Sequence, residues 1–415
     1  MSRKPEINSD RFLARIDDFA AVGATPGGGV NRQALTTGDR EARALLTALA
    51  RARGFSVFQD DIANLFIRME GKDSALPPLL IGSHLDSQPA GGRFDGALGT
   101  LTAFEVLESL ADAAFEPARA VEVVAWTNEE GCRFSPGCMG SRAFVEGKIP
   151  AAWQELQAVD DASRFDDERL ATIEALAPDV GHRALGFPVG AYLELHIEQG
   201  PSLESEKIPI GIVTGVQGTR WLEATFEGQT AHAGTTALEY RRDPLKALSA
   251  GLAALYATVM PENAGARFTV GRITVTPGSI NAIPAQASCT IDLRHPEATV
   301  LDRLEADVRE RLAKAAETEG VSASIRKTAD MAPVTFAEDV VAALQVAAQK
   351  AGFRTLSMVS GAFHDALFMA GHAPSAMIFV PCRDGLSHNE AEFVKTEDSI
   401  AGARMFLASV LEMLR

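Results

Sequence analysis

Three histidines and several acids stand where apolar runs of this chain stop. The stretch "GSHLDSQPAGGRFDGALG", residues 82–99, follows "LLIG" and places His84, Asp86 and Asp95 in a glycine-rich loop. "VEVVAWT" runs into adjacent Glu129 and Glu130, "AYLELHI" ends on His196 with Glu198 just beyond, and "AMIFVP" precedes His388. Imidazoles and carboxylates together are ligands for divalent transition metals. Three histidines, an aspartate and a glutamate suffice for two ions that share one carboxylate. Side-by-side acids such as Glu129 and Glu130 repel each other unless one meets a cation. Two ions in such a set supply hydrolytic chemistry, because they acidify water and polarise a carbonyl. Each residue also has a plainer reading, His84 as a half-buried core histidine and the others as surface or capping groups.

Such residues work only if strands carry them to one place. An apolar run that ends in polar groups reads as a buried parallel strand, and in open α/β sheets ligands bind beyond the carboxyl ends of the strands. Glycines after His84 permit the tight path that turns Asp95 back toward it. In "DGALGTLTAFEVLESLADA" Leu98, Leu101, Phe104, Leu107 and Leu110 recur every three residues on roughly one helical face. Strand runs alternate with helical periods through the first half, which is an α/β layer pattern. From about residue 215 to 330 the texture changes. "GTRWLEATFEGQT", "FTVGRITV" and "ASCTIDLRH" read as strands, and "PLKALSAGLAALYATVM" and "VLDRLEADVRERLAKAAETEG" as helices. After "KTADMAPVTF" the chain returns to helix. The expected fold is a large α/β domain, residues 1–215 and 331–415, with a central, mostly parallel sheet. A smaller α+β unit of ferredoxin-like type, residues 216–330, interrupts it as a lid.

Length and composition bound the function. A chain of 415 residues, 46% of them hydrophobic, is globular and long enough for two cores. The formal charge of -16 argues against nucleic acid as a partner and for a small-molecule substrate. No uninterrupted apolar stretch of about 20 residues could span a bilayer, and "MSRKPEINSDRF" lacks the apolar core of a signal peptide. Cys132, Cys138, Cys289 and Cys382 are too few and scattered for a disulfide framework. A cytoplasmic location is the expectation.

"HLDSQPAGGRFDG", "NEEGCRFSPGCMGS", "LHIEQG", "GQTAHAGTT", "GSINAIPAQASCTIDLRH" and "GLSHNEAE" resemble, in order, the motifs of the di-metal amidohydrolases of the hydantoinase/carbamoylase family. That family includes N-carbamoyl-L-amino acid hydrolases, allantoate amidohydrolases and β-ureidopropionases, and is related to aminoacylases and co-catalytic zinc peptidases. The resemblance implies that His84, Asp95, Glu130, His196 and His388 hold two metal ions, zinc or manganese first and cobalt or nickel as options, with Asp95 bridging. It implies Glu129 as the general base and Asp86 as the group orienting His84. His232 would stabilise the oxyanion, often in the partner subunit of a homodimer formed through the lid. Asn281 and Arg294 would hold the substrate carboxylate across a closing cleft, Gln199 the ureido group, and the backbone around Gly361 and Ala362 further contacts. Phe363 stands where relatives often carry glycine, so a ring there reshapes the pocket. His364 and Asp365 read as support behind the ligands, and His182, His295 and His372 as structural or surface histidines.

The implied substrate is an N-carbamoyl-L-amino acid, with allantoate, N-carbamoyl-β-alanine and acylated amino acids or peptides as alternatives. Two other classes compete. A thiol amidase would use Cys132, but its partner residues have no recognisable placement, and no G-x-S-x-G elbow occurs. A binding protein on a metallopeptidase fold would be expected to have lost a ligand or the base.

Overall fold

The computed structural model describes residues 4–177 and 179–415, so the first three residues of the domain expected to begin at residue 1 lie outside the described residues. The chain divides into two compact units, Met1–Thr214 with Phe336–Arg415, and Gly215–Thr335. The first half of the larger unit supplies β1 (Ser56–Gln59), β2 (Leu65–Met69), β3 (Leu79–His84), β4 (Val121–Trp126), β5 (Gly181–His182), β6 (Ala191–Ile197) and β7 (Ile210–Val216). Every residue of β3, β4 and β6 is buried, which explains why they read as continuous apolar runs. The two buried glutamates among them are satisfied. Glu122 accepts from Arg68 and Arg183 at 2.5 and 2.6 Å, and Glu194 accepts from Ser83 Oγ, Tyr192 Oη and the Ala366 amide at 2.7 to 3.1 Å.

The smaller unit contains β8 (Gly218–Glu227), β9 (Ala231–His232), β10 (Arg267–Thr276), β11 (Ala282–Ile283), β12 (Gln286–His295), β13 (Ser322–Met331) and β14 (Val334–Thr335). Its four-stranded sheet runs in the order β10-β12-β8-β13, with all neighbours antiparallel. With helices Pro244–Glu262 and Ala298–Thr318 this is a β-α-β-β-α-β, ferredoxin-like arrangement. Burial alternates along β12, and the inward residues pack with Leu222, Phe226, Leu248, Leu255 and Leu312. Strand β13 is absent from the sequence reading, which has only a return to helix after it. It is an edge strand, and its charged, mostly exposed residues mask the alternation that a half-buried strand shows.

The chain re-enters the larger unit with β15 (Thr355–Ser360) and β16 (Ser375–Val380). The large sheet there runs β7-β16-β6-β3-β4-β2-β1-β5, with β15 also on β7. The central strands β16, β6, β3 and β4 run parallel to one another, and β1 and β5 are parallel at one edge. The pairs β2–β4, β1–β2 and β7–β16 are antiparallel, so the sheet is mixed. At one flank the reason is local. Asp60 Oδ1 accepts the Ile62 and Asn64 amides at 3.1 and 3.0 Å, and this tight turn joins β1 to β2 without a crossover. In the parallel centre His84 pairs with Trp126, and His196 with Phe379, so the carboxyl ends lie level.

Helix Ala97–Asp112 is buried from Ala97 to Leu110, not along a single stripe. It packs on β3 and β6 and also against helices Ser9–Ala21 and Thr396–Met413. Its Glu105 side chain is reached by Arg11 at 2.7 Å. A Cβ at Gly99 would meet the Leu195 carbonyl oxygen at 2.0 Å, so glycine sets how closely the helix approaches β6.

The end of β4 is held by a buried charge pair. Arg43 and Asp39, both fully buried, lie 3.0 Å apart in helix Thr37–Ala52, and Arg43 donates to the Trp126 carbonyl at 3.2 Å. Asp39→Ala leaves the guanidinium buried without its counter-ion, an expected loss of about 3–5 kcal/mol. Equilibrium urea unfolding checks this, and an unchanged midpoint would show the pair to be dispensable.

Candidate metal centre

Each candidate ligand stands at or just past a carboxyl end of the parallel strands. His84 closes β3, His196 is the penultimate residue of β6, Glu129 and Glu130 follow β4, and His388 follows β16. Two ligand triads result, His84–Asp95–His196 and Asp95–Glu130–His388, each with its donor atoms within 4.8 Å of one another. Asp95 belongs to both. Its Oδ1 lies 3.1 Å from His196 Nε2 and 3.7 Å from His84 Nε2, while Oδ2 lies 3.5 Å from His388 Nε2. One carboxylate thus presents one oxygen to each triad.

The imidazole tautomers follow from their neighbours. His84 Nδ1 is 2.9 Å from the Asp86 carbonyl, and His196 Nδ1 is 3.0 Å from that of Ile197. A carbonyl only accepts, so in each ring Nδ1 carries a hydrogen and Nε2 is the nitrogen directed at the centre. His84 Nε2 is buried with no hydrogen-bond partner among the described residues, as a metal ligand's donor atom should be. The residues present therefore fit a pair of divalent cations.

Electrostatics point the same way. Burial, then Asp365, Glu130, Asp86 and Asp95, push the Glu129 carboxyl well above its usual range. Burial, then Asp95 and Asp86, do the same to Glu130. Burial lowers His84 to about 4, so that ring is neutral at pH 7. At His196 burial also opposes charge, but the hydrogen bond and charge of Asp95 outweigh it and raise the ring to about 9. Asp95, despite burial, is held well below the carboxylate range by the three histidines. Acids this crowded and this dry repel one another unless cations lie among them.

Glu129 belongs to neither triad. Its Oε2 lies 3.5 Å from His84 Nε2, and its Oε1 accepts the Cys138 thiol at 3.5 Å. Asp86 stands beside His84 through both its carbonyl, 2.9 Å from Nδ1, and its carboxylate, 3.7 Å from the same atom. That carboxylate also accepts the Glu129 and Glu130 amides at 3.3 and 3.2 Å and so ties the β3 end to the β4 end. Gln199 Nε2 reaches Asp95 Oδ2 and Ser387 Oγ, both at 3.0 Å. Glu198 turns away, accepting the Ser202 and Leu203 amides at 2.8 Å. Gly361 and Ala362 lie in the loop after β15, where the Ala362 amide donates to Ser360 Oγ at 3.1 Å. His364 lies against His196 with ring centres 4.5 Å apart and planes tilted by 59°, and Asp365 accepts from Ser141 at 2.5 Å.

Three further candidates lie in the smaller unit. Strands β9 and β11 bring His232 opposite Ala282, and the Asn281 carbonyl accepts the Ala233 amide at 2.9 Å. His232 Nδ1 accepts the Gly234 and Thr235 amides at 3.1 and 3.2 Å, which leaves the neutral ring's hydrogen on the exposed Nε2. Arg294 is gripped through Nε and Nη2 by Asp292 at 2.9 and 2.8 Å. His182 pairs with Asp61 at the surface, His295 accepts the Glu297 amide, and His372 meets the Phe187 carbonyl, which is structural work. Burial, then Asp86 and Glu130, push the Cys132 thiol up to about 12, so it carries no thiolate nucleophile at neutral pH.

Sequence reasoning passed over Gln88, Cys138, Ser387 and Glu392. Gln88 donates to both oxygens of Glu130, at 3.1 Å from its amide and 2.7 Å from Nε2. Only their position inside the ligand-bearing segments could have marked them.

Known proteins resemble this chain in family, sequence and fold. The model of peptidase family M20/M25/M40 matches residues 80–412. An N-carbamoyl-L-amino-acid amidohydrolase of Rhizobium meliloti is 38% identical over 407 residues, covering 98% of this chain and 96% of that one. A ureidoglycolate hydrolase of Oryza sativa subsp. japonica is 31% identical over 418 residues, covering 98% and 85%. A solved amidase of the hydantoinase/carbamoylase family from Burkholderia multivorans superposes with a TM-score of 0.92 at 39% identity, covering 99% of both chains.

The shared carboxylate makes metal binding separable by mutation. Wild-type protein stripped with a chelator should take up two equivalents of divalent metal in calorimetric titration. His388→Ala should keep one tight equivalent and Asp95→Asn neither. Two tight equivalents in Asp95→Asn would contradict the bridging role.

Proposed function

The chain belongs to peptidase family M20/M25/M40, in its hydantoinase/carbamoylase branch, and on that premise we propose that it hydrolyses N-carbamoyl-L-amino acids to the amino acid, carbon dioxide and ammonia. One observation carries the reading: two triads share Asp95, and a further buried acid, Glu129, stands beside them outside both. When bound, two divalent ions acidify water and polarise the scissile carbonyl.

The residues of this chain do the rest. His84, Asp95 and His196 would hold one ion, and Asp95, Glu130 and His388 the other, with zinc or manganese as the native pair. Mixed imidazole and carboxylate donors also suit cobalt and nickel. Glu129 takes a proton from the attacking water and passes it to the departing nitrogen. A carboxylate that accepts a proton in one step and returns it in the next acts first as general base and then as general acid. Glu130 would serve as a ligand, oriented by Gln88, which donates to both its oxygens. Gln199 meets the ureido group beside Asp95, with the loop at Gly361 and Ala362 as a further substrate contact. His232, with its hydrogen on Nε2, donates to the developing oxyanion in its own or a partner subunit. Asn281 and Arg294 hold the substrate carboxylate, and Arg294 would divide its planar fork between that group and Asp292. A homodimer formed through the smaller unit and a cytoplasmic location complete the proposal.

The ureidoglycolate hydrolase relative keeps a ureido acid of another kind as the second reading. A panel that reads ammonia from N-carbamoyl-L-amino acids, N-carbamoyl-β-alanine, allantoate and ureidoglycolate, and free amino acid from N-acyl amino acids, with metals added back singly, decides between them. Highest kcat/KM on an N-carbamoyl-L-amino acid is expected, and a preference for allantoate or ureidoglycolate would replace the first reading with the second. Glu129→Gln should bind metal normally and lose about 10²- to 10⁴-fold in kcat, the usual contribution of a positioned acid/base. Arg294→Ala should raise KM with metal content unchanged.

A further inference from the structure

We propose that Glu392 is a positioning residue that aims the two oxygens of Asp95 at the two ions, acting through the Phe94–Asp95 backbone and through Ser387. The inference rests on the two-metal reading above. Glu392 is 4% exposed. Its Oε1 accepts the amides of Phe94 and Asp95 at 3.0 and 3.1 Å. Its Oε2 lies 3.0 Å from Ser387 Oγ, which stands 2.8 Å from Asp95 Oδ2. A single carboxylate therefore holds the shared ligand twice, once by its main chain and once, through a hydroxyl, at the oxygen that faces His388.

The contact is long-range. Asp95 and Glu392 lie 297 residues apart in sequence, Asp95 in the loop after β3 and Glu392 on the segment that carries His388. His388 meets Asp95 only if these two segments dock, and Glu392 is the side chain that fastens one to the other. Gly92 makes room for it. A Cβ there would come within 2.0 Å of Glu392 Oε1 and 2.5 Å of its Cβ, so relief would require the whole side chain to move rather than its tip. A bridging carboxylate must direct its oxygens apart at fixed angles. Loss of a partner that orients a ligand typically weakens metal binding by about 10- to 100-fold.

Visible absorption during cobalt(II) titration of chelator-stripped protein tests the proposal without reference to turnover. Glu392→Ala should bind both equivalents about 10- to 100-fold more weakly and with altered band intensities. Gly92→Ala should do the same by displacing the intact carboxylate. Glu392→Gln keeps an acceptor for the two amides. It replaces the oxygen that accepts from Ser387 Oγ with an Nε2 that donates to it, which leaves the hydroxyl hydrogen for Asp95 Oδ2. This variant should recover most of the affinity. Circular dichroism of the metal-free proteins reports folding. Should Glu392→Ala not fold, Ser387→Ala carries the test, because it leaves the amide contacts intact and should weaken the His388-side ion. Wild-type affinity and spectrum in the folded Glu392→Ala, or in Ser387→Ala in its place, would overturn the proposal. So would a loss in Glu392→Gln as large as in Glu392→Ala, which would assign the effect to charge alone. Wild-type protein that fails to bind two equivalents would remove the two-metal reading and this inference with it, an outcome distinct from the others.

Discussion

Mutual repulsion among buried acids is the constraint around which this molecule is arranged. Asp86, Asp95, Glu129, Glu130 and Asp365 converge at one end of a parallel sheet, where burial and their neighbours favour protonation of all but Asp95. No lysine or arginine side chain makes an ion pair with Asp95, Glu129 or Glu130 among the described residues. Three imidazoles stand there instead, two of them tethered through Nδ1 so that Nε2 is directed inward. A site of this kind is stable and useful when positive charge is delivered from outside, which is how metal binding and chemistry come to depend on the same groups.

The fold provides convergence by two means. Parallel strands in register bring the ends of β3, β4, β6 and β16 level, so that ligands from distant segments meet without long loops. Glycine then permits contacts that a Cβ would block. Gly96 has φ +62°, and a Cβ there would lie 2.2 Å from the His84 ring. The glycines around Asp95 are thus tied to side-chain contacts: Gly96 lets the chain turn beside His84, and Gly92 admits the Glu392 carboxylate. Asp86 works from the other side, joining the β3 end to Glu129 and Glu130 through their amides.

The smaller unit shows the same economy in different chemistry. A two-strand pairing sets His232 beside the Asn281 segment, and two amides decide which ring nitrogen keeps its hydrogen. Asp292 holds Arg294 through two parallel hydrogen bonds, which fixes a long side chain in one conformation.

Residue types at strand ends, the α/β layering and the convergence of candidate ligand histidines were legible because buried parallel strands appear as unbroken apolar runs, and each run stops at a group with chemistry. Strand β13 was not, since an edge strand with charged residues has no clear period, and helix Ala97–Asp112 shows only one apolar stripe although packing covers it on every side. Which oxygen of Asp95 faces which triad, that Asp86 reaches His84 by its carbonyl, and that Glu392 grips a loop 297 residues away were decided by tertiary structure alone. The physical reason is one of range. Hydropathy and spacing report what a residue does with neighbours a few positions along the chain, whereas hydrogen-bond direction and carboxylate orientation depend on atoms that come near only after the sheet has closed its register.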